Sequence, residues 1–341
     1  MTQMNDRAVA IMEEPQATAQ RVFSLIAPEL HLVELEFERQ ARSNIQVIAY
    51  LGDYLRASGG KRVRPALNIL SAYATRGDGS AENVVRMATV MEFLHTATLV
   101  HDDIIDNAEV RRNRPSVNSR FGNQKAVLMG DWLYMSAYET SLTERSLPIL
   151  DILTRVTRQM TEGELIQLTL LGRTDITREQ YFDVLERKTA YLFSACCEIG
   201  ALLGEPHDEW SRALAEYGLK LGTAFQLADD LLDFTATESM LGKPAGADLL
   251  DGKLTLPLIM LLEEEPSWQS AIQTIINAGN YDSISREALR EAADRAGIVE
   301  RAREVARSYA ESAIEALNPL PPSDCLDALR AIPTYIIERE N

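Results

Sequence analysis

Cysteine, aromatic residues, long apolar runs and positive charge are all in short supply in this chain, and each shortage removes a class of protein. Three cysteines stand in 341 residues, two of them adjacent at Cys196-Cys197 and one at Cys325. That is no disulfide framework, and the four His add no zinc-ligand spacing to it. The three cysteines read as small buried hydrophobes of a protein kept in a reducing cytoplasm. No stretch of about 18 uncharged apolar residues is present, so nothing is expected to span a membrane. The N-terminal segment also lacks the charged start and apolar stretch of a signal peptide. Basic residues number 34 against 51 acidic ones, a net charge of −17, with no basic stripe. Nucleic acid is a poor partner for such a chain, and an anionic lipid surface is hardly better.

Strand signals are equally scarce. Aromatics make up 6% of the chain, and alternating Val/Ile/Thr runs between turns are hard to find. Helical periodicity stands in their place, as in Val84-Met87-Met91-Leu94-Thr98, Ile166-Leu170 and Leu214-Tyr217-Leu221. Breakers separate the periodic segments at Arg76-Gly77-Asp78-Gly79, Leu171-Gly172-Arg173-Thr174, Gly204-Glu205-Pro206 and residues 318–323. With 46% hydrophobic residues a large core can be built. The expectation is an all-α protein of ten or more helices. One domain over residues 1–341, with residues 1–20 loosely ordered, is expected because two acidic motifs far apart in sequence must meet.

Those motifs are two copies of one five-residue pattern, Asp102-Asp103-Ile104-Ile105-Asp106 and Asp229-Asp230-Leu231-Leu232-Asp233. On a helix the first and third Asp are i and i+4 and share a face. Three carboxylates so placed repel one another and are unfavourable against a core unless something multiply cationic sits on them. Apolar runs precede both copies, which suggests two helices buried for most of their length. Mg²⁺ suits such a cage, because it takes oxygen ligands from a few carboxylates together with substrate phosphates. An EF-hand would need a central Gly and a terminal Glu within one loop, and neither motif has them. An acidic chain will show one Asp triplet on a solvated face by accident, but two copies with attendant cations are harder to attribute to chance.

The cations lie beside Gly and Pro. Gly59-Gly60-Lys61-Arg62-Val63-Arg64-Pro65 places three behind a diglycine, and Arg111-Arg112-Asn113-Arg114-Pro115 follows the first acidic motif. After the second come Gly242-Lys243-Pro244-Ala245-Gly246 and Asp251-Gly252-Lys253-Leu254-Thr255-Leu256-Pro257. In so acidic a protein these are the natural places to hold a phosphate-bearing molecule.

The ordered set resembles the trans-type polyprenyl diphosphate synthases, the superfamily of farnesyl and geranylgeranyl diphosphate synthases. The matching pieces are Gly-Gly-Lys-Arg-x-Arg-Pro at 59–65, the first aspartate-rich motif with its trailing Arg-Arg, and Lys188-Thr189. Phe225-Gln226 leads into the second aspartate-rich motif, and the closing stretch runs from Gly242 to Pro257. The match runs in order from about residue 50 to 262. Two departures are small: Asn113 stands where the family usually has Gly, and Ser116 where it usually has Thr.

The resemblance implies a bundle of mostly antiparallel helices around a central cavity, the isoprenoid synthase type, and a repeated head-to-tail condensation. In that reaction an allylic diphosphate loses pyrophosphate and its carbon chain joins isopentenyl diphosphate, yielding a long all-trans polyprenyl diphosphate. It further implies Mg²⁺, three ions with substrate bound, held by Asp102, Asp106 and Asp229 with Asp103, Asp230 and Asp233 completing the acidic shell. Arg111, Lys188, Lys243 and Lys253 would grip the allylic diphosphate, and Thr189 and Gln226 would offer dipoles to the allylic cation. Isopentenyl diphosphate would be held by Lys61, Arg64, His95 and Arg112, with the departing pyrophosphate as base. His101 is expected to be structural, and Glu109 and Asp248 to be loop or supporting residues.

Chain length is expected to be written one turn before Asp102, at Ala97 and Thr98, both small here where short-chain relatives commonly carry a bulky aromatic. A tunnel would continue past Leu94, Met91 and Met87, faced by Trp132, Met135 and Tyr138, for a product of thirty to fifty carbons. A homodimer is expected, with transient membrane contact for product release. Three other readings compete. They are a class I terpene cyclase, which needs no second diphosphate site, a non-catalytic subunit, which tends to lose the Asp motifs, and a phosphate-binding scaffold without chemistry.

Overall fold

The computed structural model describes residues 15–42, 45–50, 62–111, 114–236 and 245–338. In chain order the helices are α1 (Pro15–Leu25), α2 (Ala27–Gln40), α3 (Val63–Ala74), α4 (Glu82–Ile105), α5 (Val117–Phe121), α6 (Asn123–Leu142), α7 (Leu147–Leu170) and α8 (Arg178–Leu185). A π-helical turn, Glu186–Ala190, follows α8 directly. Then come α9 (Tyr191–Leu202), α10 (Asp208–Thr235), α11 (Ala247–Leu250), α12 (Leu256–Glu264), α13 (Gln269–Ala278), α14 (Arg286–Arg295), α15 (Ile298–Ala316) and α16 (Asp324–Ile337). Among the described residues the strands are a single small hairpin, β1 (Val110–Arg111) with β2 (Arg114–Pro115), pairing Val110 with Pro115. The all-α expectation holds, and the four breaker segments fall between α3 and α4, α7 and α8, α9 and α10, and α15 and α16.

Helix α4 is central because it is apolar on nearly every side, which leaves no face suited to water. Met87, Val90, Met91, Phe93, Leu94 and Ala97 are all at most 1% exposed. It packs against α2, α3 and α6. Helix α10 is amphipathic instead: Leu214, Tyr217, Leu221, Ala224, Leu227 and Leu231 recur three and four residues apart, and all are buried. That stripe lies against α9 and α15. The Tyr217 hydroxyl, fully buried, donates to the Leu329 carbonyl at 2.7 Å, so its polar end is satisfied. Buried side chains fall into two clusters, one around α3, α4, α6 and α9, the other around α12 to α15, and α10 contributes to both.

Both long helices end in their acidic motif. The carbonyl end of a helix carries partial negative charge, so carboxylates there add to an existing negative potential. Neither last turn contains a basic residue. The compensating cations come from elsewhere in the chain. Arg111 reaches Asp103 and Lys253 lies near Asp106 at the end of α4. At the end of α10, Arg286 donates to the carbonyls of Asp233 at 3.1 Å and Phe234 at 2.8 Å, and Arg290 to that of Thr235 at 3.3 Å.

Gly163 brings α7 against the π turn. A Cβ built there would lie 2.6 Å from the Cβ of Arg187 and 3.2 Å from the Lys188 backbone nitrogen. Gly163→Ala gains about 1 kcal/mol of helix propensity. Overpacking against a neighbour held at its own Cβ costs about 1–3 kcal/mol. The variant is therefore expected to be less stable by up to about 2 kcal/mol in urea unfolding, with lowered activity because Lys188 shifts.

Candidate active site

The ends of α4 and α10, the start of α3, α7, the π turn and the segment before α12 enclose a cavity of about 760 Å³. Asp102, Asp229 and Asp230 stand on its wall, and so do Arg111, Lys188 and Lys253. Asp103 and Asp233 are buried just outside that wall. Asp103 accepts from Arg111 Nε at 2.5 Å, and an Asp233 carboxylate oxygen accepts from the backbone N–H of Asp248 at 3.2 Å. Asp106 caps α4 with its carboxylate 3.7 Å from Lys253 Nζ. Burial opposes the charge on Lys253, but Asp106, Asp248 and Asp251 outweigh it and hold the ammonium protonated beyond its ordinary range.

Burial pushes the Asp102 carboxyl up to about 6, Lys188 working against the rise while Glu164 and Asp106 add to it. Asp230 is raised further, first by burial and then by the charge of Asp248, with Asp229 adding to both. Hydrogen bonds pull it back: Tyr181 donates its hydroxyl to one carboxylate oxygen at 2.6 Å and Gln226 Nε2 donates to the other at 2.8 Å. The Gln226 carbonyl in turn accepts from the Thr189 hydroxyl at 2.9 Å. Thr189, Gln226, Asp230 and Tyr181 thus form one chain of bonds across the π turn, α10 and α8, and the orientation of the Gln226 amide is set by both of its ends.

Lys188 is held by Gln167 at 3.1 Å and by an ion pair with Glu164, both on α7. Within the π turn of residues 186–190, Lys188 reaches α7 while the next residue, Thr189, bonds to Gln226 on α10. Arg64, His95, Arg62 and Glu92 line the same cavity. The Arg64 guanidinium sits 5.0 Å over the Phe193 ring. His101 turns away to α6, its Nε2 3.2 Å from the Val127 carbonyl and 3.5 Å from Asp131. Ser116 caps α5 and donates to the Ala108 carbonyl at 2.6 Å, so exchanging the usual Thr for Ser keeps the hydroxyl. Lys61, Arg112, Asn113 and Lys243 lie outside the described residues.

Of the four expected chain-length residues, Thr98 lines the cavity, together with its neighbour Leu99. Ala97, Leu94 and Met91 are packed beneath it at 0–1% exposure. The expected facing wall needs one correction. Met135 is 62% exposed on α6 and turned outward, because the side of α6 that meets α4 runs through Trp132, whose ring stands edge-on to Phe93 at 6.5 Å. Tyr138 reaches α7, donating to the Leu153 carbonyl at 3.2 Å. Sequence reasoning assigned no place at the site to Glu92, Gln167 and Tyr181, which line the cavity, or to Glu164, which pairs with Lys188 beside it. Glu92 had one available signal, its place three residues before His95 on the same helical face. The Glu164–Lys188 pair had none, since it exists only through the contact of α7 with the π turn.

The donor set offered to a metal is all carboxylate oxygen, and burial and mutual repulsion make it hungry for positive charge. Among the described residues no three acidic, His or Cys side chains close a cage by themselves. Carboxylate oxygen is the donor type that hard divalent cations take, together with diphosphate oxygens and water. The helical cavity, lined by both carboxylates and cations, thus has the make-up of an enzyme that handles diphosphates.

A family model described as Polyprenyl synthetase matches residues 45–292. The chain is 37% identical over 322 residues to octaprenyl diphosphate synthase of Escherichia coli (strain K12), covering 94% of this chain and 99% of that one. A polyprenyl synthase of Caulobacter crescentus CB15, solved in complex with calcium and isoprenyl diphosphate, matches with a TM-score of 0.88 at 32% identity, covering 95% and 98% of the two chains. A decaprenyl diphosphate synthase of Rhodobacter capsulatus matches with a TM-score of 0.88 at 30% identity, covering 95% and 99%. The chain belongs to the polyprenyl synthetase family. It is a chain-elongating prenyltransferase of the all-α isoprenoid synthase fold.

The raised Asp230 carboxyl makes the metal-free protein pH-sensitive in an unusual direction. Between the ordinary Asp value of 3.8 and its elevated folded value, the folded state holds a proton that the unfolded chain has released. This contribution to stability is therefore present at low pH and lost as pH rises. In the presence of a chelator, Asp230→Asn is expected to melt higher than the parent, by a margin that widens between about pH 5 and pH 8. A constant margin across that range would contradict it.

Proposed function

We propose that this enzyme condenses an allylic diphosphate with successive molecules of isopentenyl diphosphate, releasing pyrophosphate each time, to give a long all-trans polyprenyl diphosphate. The observation that carries the proposal is the number of phosphate-binding side chains on one cavity, more than a single diphosphate needs: Arg111, Lys188 and Lys253 line it together with Asp102, Asp229 and Asp230, and Arg64 and His95 line it as well. Two diphosphates have to be held at once for a condensation, whereas a cyclase needs one.

In this reading Asp102, Asp106 and Asp229, supported by Asp103, Asp230 and Asp233, hold Mg²⁺ with the allylic diphosphate. The bound metal supplies Lewis-acid neutralisation of charge as the carbon–oxygen bond breaks. Arg111, Lys188, Lys243 and Lys253 bind the same diphosphate, and their attraction grows as negative charge collects on the leaving group. Lys188 exchanges Glu164 for a phosphate oxygen. The Gln226 carbonyl and the Thr189 hydroxyl present the negative ends of their dipoles to the allylic cation. Lys61, Arg64, His95 and Arg112 orient isopentenyl diphosphate. Its double bond attacks the allylic carbon, a carbon–carbon bond forms, and the departing pyrophosphate takes the proton that restores a double bond. The growing chain presses first on Thr98, then on Leu94 and on Met91, whose unbranched side chain can yield. A homodimer and brief contact with a bilayer during product release complete the proposal.

Incubating the protein with Mg²⁺, farnesyl diphosphate and labelled isopentenyl diphosphate, then weighing the dephosphorylated alcohol, tests this reading. A product of thirty carbons or more is expected, and one of twenty or fewer contradicts the long-chain assignment. Asp102→Asn and Asp229→Asn are each expected to lower kcat about 10²-fold or more, with KM for isopentenyl diphosphate little changed. Thr98→Phe is expected to shorten the product under the same chromatography, and an unchanged chain length would remove Thr98 from the floor of the tunnel.

A further inference from the structure

Glu92 poses a problem of charge. It is a carboxylate with a side chain 9% exposed, on the wall of a cavity that receives anions. Placed there it repels a diphosphate and has given up much of its own hydration. Arg62 accounts for it. Nη1 of Arg62 donates to Glu92 Oε1 at 2.7 Å, the Arg62 side chain is itself only 12% exposed, and its Nε lies 3.8 Å from Glu34 on α2. Arg62 is also the N-cap of α3 in the left-handed conformation, φ 47°. A residue with a Cβ keeps that conformation only when its surroundings hold it. Two residues on, α3 presents Arg64 to the cavity, and one turn after Glu92, α4 presents His95. The Arg62–Glu92 pair therefore joins the start of one helix to the middle of another at the level where both carry a cavity residue.

We propose that Glu92 and Arg62 are positioning residues for the isopentenyl diphosphate subsite. Their ion pair is a strut that sets the spacing of Arg64 and His95, and Glu92 acts through Arg62 without touching substrate. The inference rests on reading Arg64 and His95 as ligands of that diphosphate.

The sign of one kinetic change decides it. Glu92→Gln removes a negative charge from near an incoming anion, which by field alone lowers KM for isopentenyl diphosphate, while loss of the strut raises it. The expected result is a rise of about tenfold in that KM, with kcat and the KM for the allylic substrate changed less than about threefold. Glu92→Asp, keeping the charge, recovers part of the loss. An unchanged or lowered KM overturns the proposal. Arg62→Gln is expected to show the same split, and adding Glu92→Gln to it produces no further rise, since either change breaks the one pair. Multiplying effects in the double variant overturn the pairing, and this comparison stands even where Glu92→Gln alone yields no folded protein. Arg64→Gln and His95→Ala are measured alongside. If neither raises KM for isopentenyl diphosphate, the subsite reading has failed. If both do and Glu92→Gln does not, the failure belongs to the strut alone.

Discussion

Helices α4 and α10 deliver their carbonyl ends and six carboxylates to the same region, and the rest of the structure is organised around the negative charge that results. A helix normally places cations in its last turn, and these two place none. The burden passes to residues distant in sequence. Arg111 and Lys253 serve the end of α4, and Arg286 and Arg290 serve the end of α10. What remains uncompensated is visible in the raised carboxyls of Asp102 and Asp230, which burial drives upward and which a divalent cation would bring back to the ionised form.

The anion sites are the complement of this arrangement. A chain of net charge −17 repels diphosphates over most of its surface, so binding depends on local cations held near the cavity. Several of these are kept in place by acidic partners: Lys188 by Glu164, Arg111 by Asp103 and Arg62 by Glu92. Each pairing keeps a long side chain ordered before substrate arrives, which reduces the entropy lost on binding. The bond chain from Tyr181 through Asp230 and Gln226 to Thr189 does the same for neutral dipoles. It also links the second acidic motif mechanically to the π turn that carries Lys188.

Much of this was legible in the residues. The stripe Leu214-Tyr217-Leu221 lies on the buried face of α10, and the turn residues at 76–79 and 204–206 fall between helices. Asp102 and Asp229 share one cavity with Arg64, His95, Lys188 and Gln226. Composition could not place Met135, because an apolar residue on an amphipathic helix is assigned a face only once the neighbour is known. Nor could it find Tyr181, Glu164 or Gln167, whose importance comes from being beside Asp230 and Lys188 across helix contacts.

The sequence by itself determined the helical class, the two acidic motifs at the ends of long apolar segments, and the Gly- and Pro-flanked cations. These follow from local spacing and from the chemistry of single side chains, which the order of residues states directly. Tertiary structure decided which cation neutralises which carboxylate, how the π turn splits Lys188 from Thr189, and that Glu92 belongs with Arg62. Those pairings depend on how closely helices approach, at Gly163 for example, and on how much water is excluded between them. Close approach and desolvation are properties of packed surfaces, and they arise only when distant segments meet.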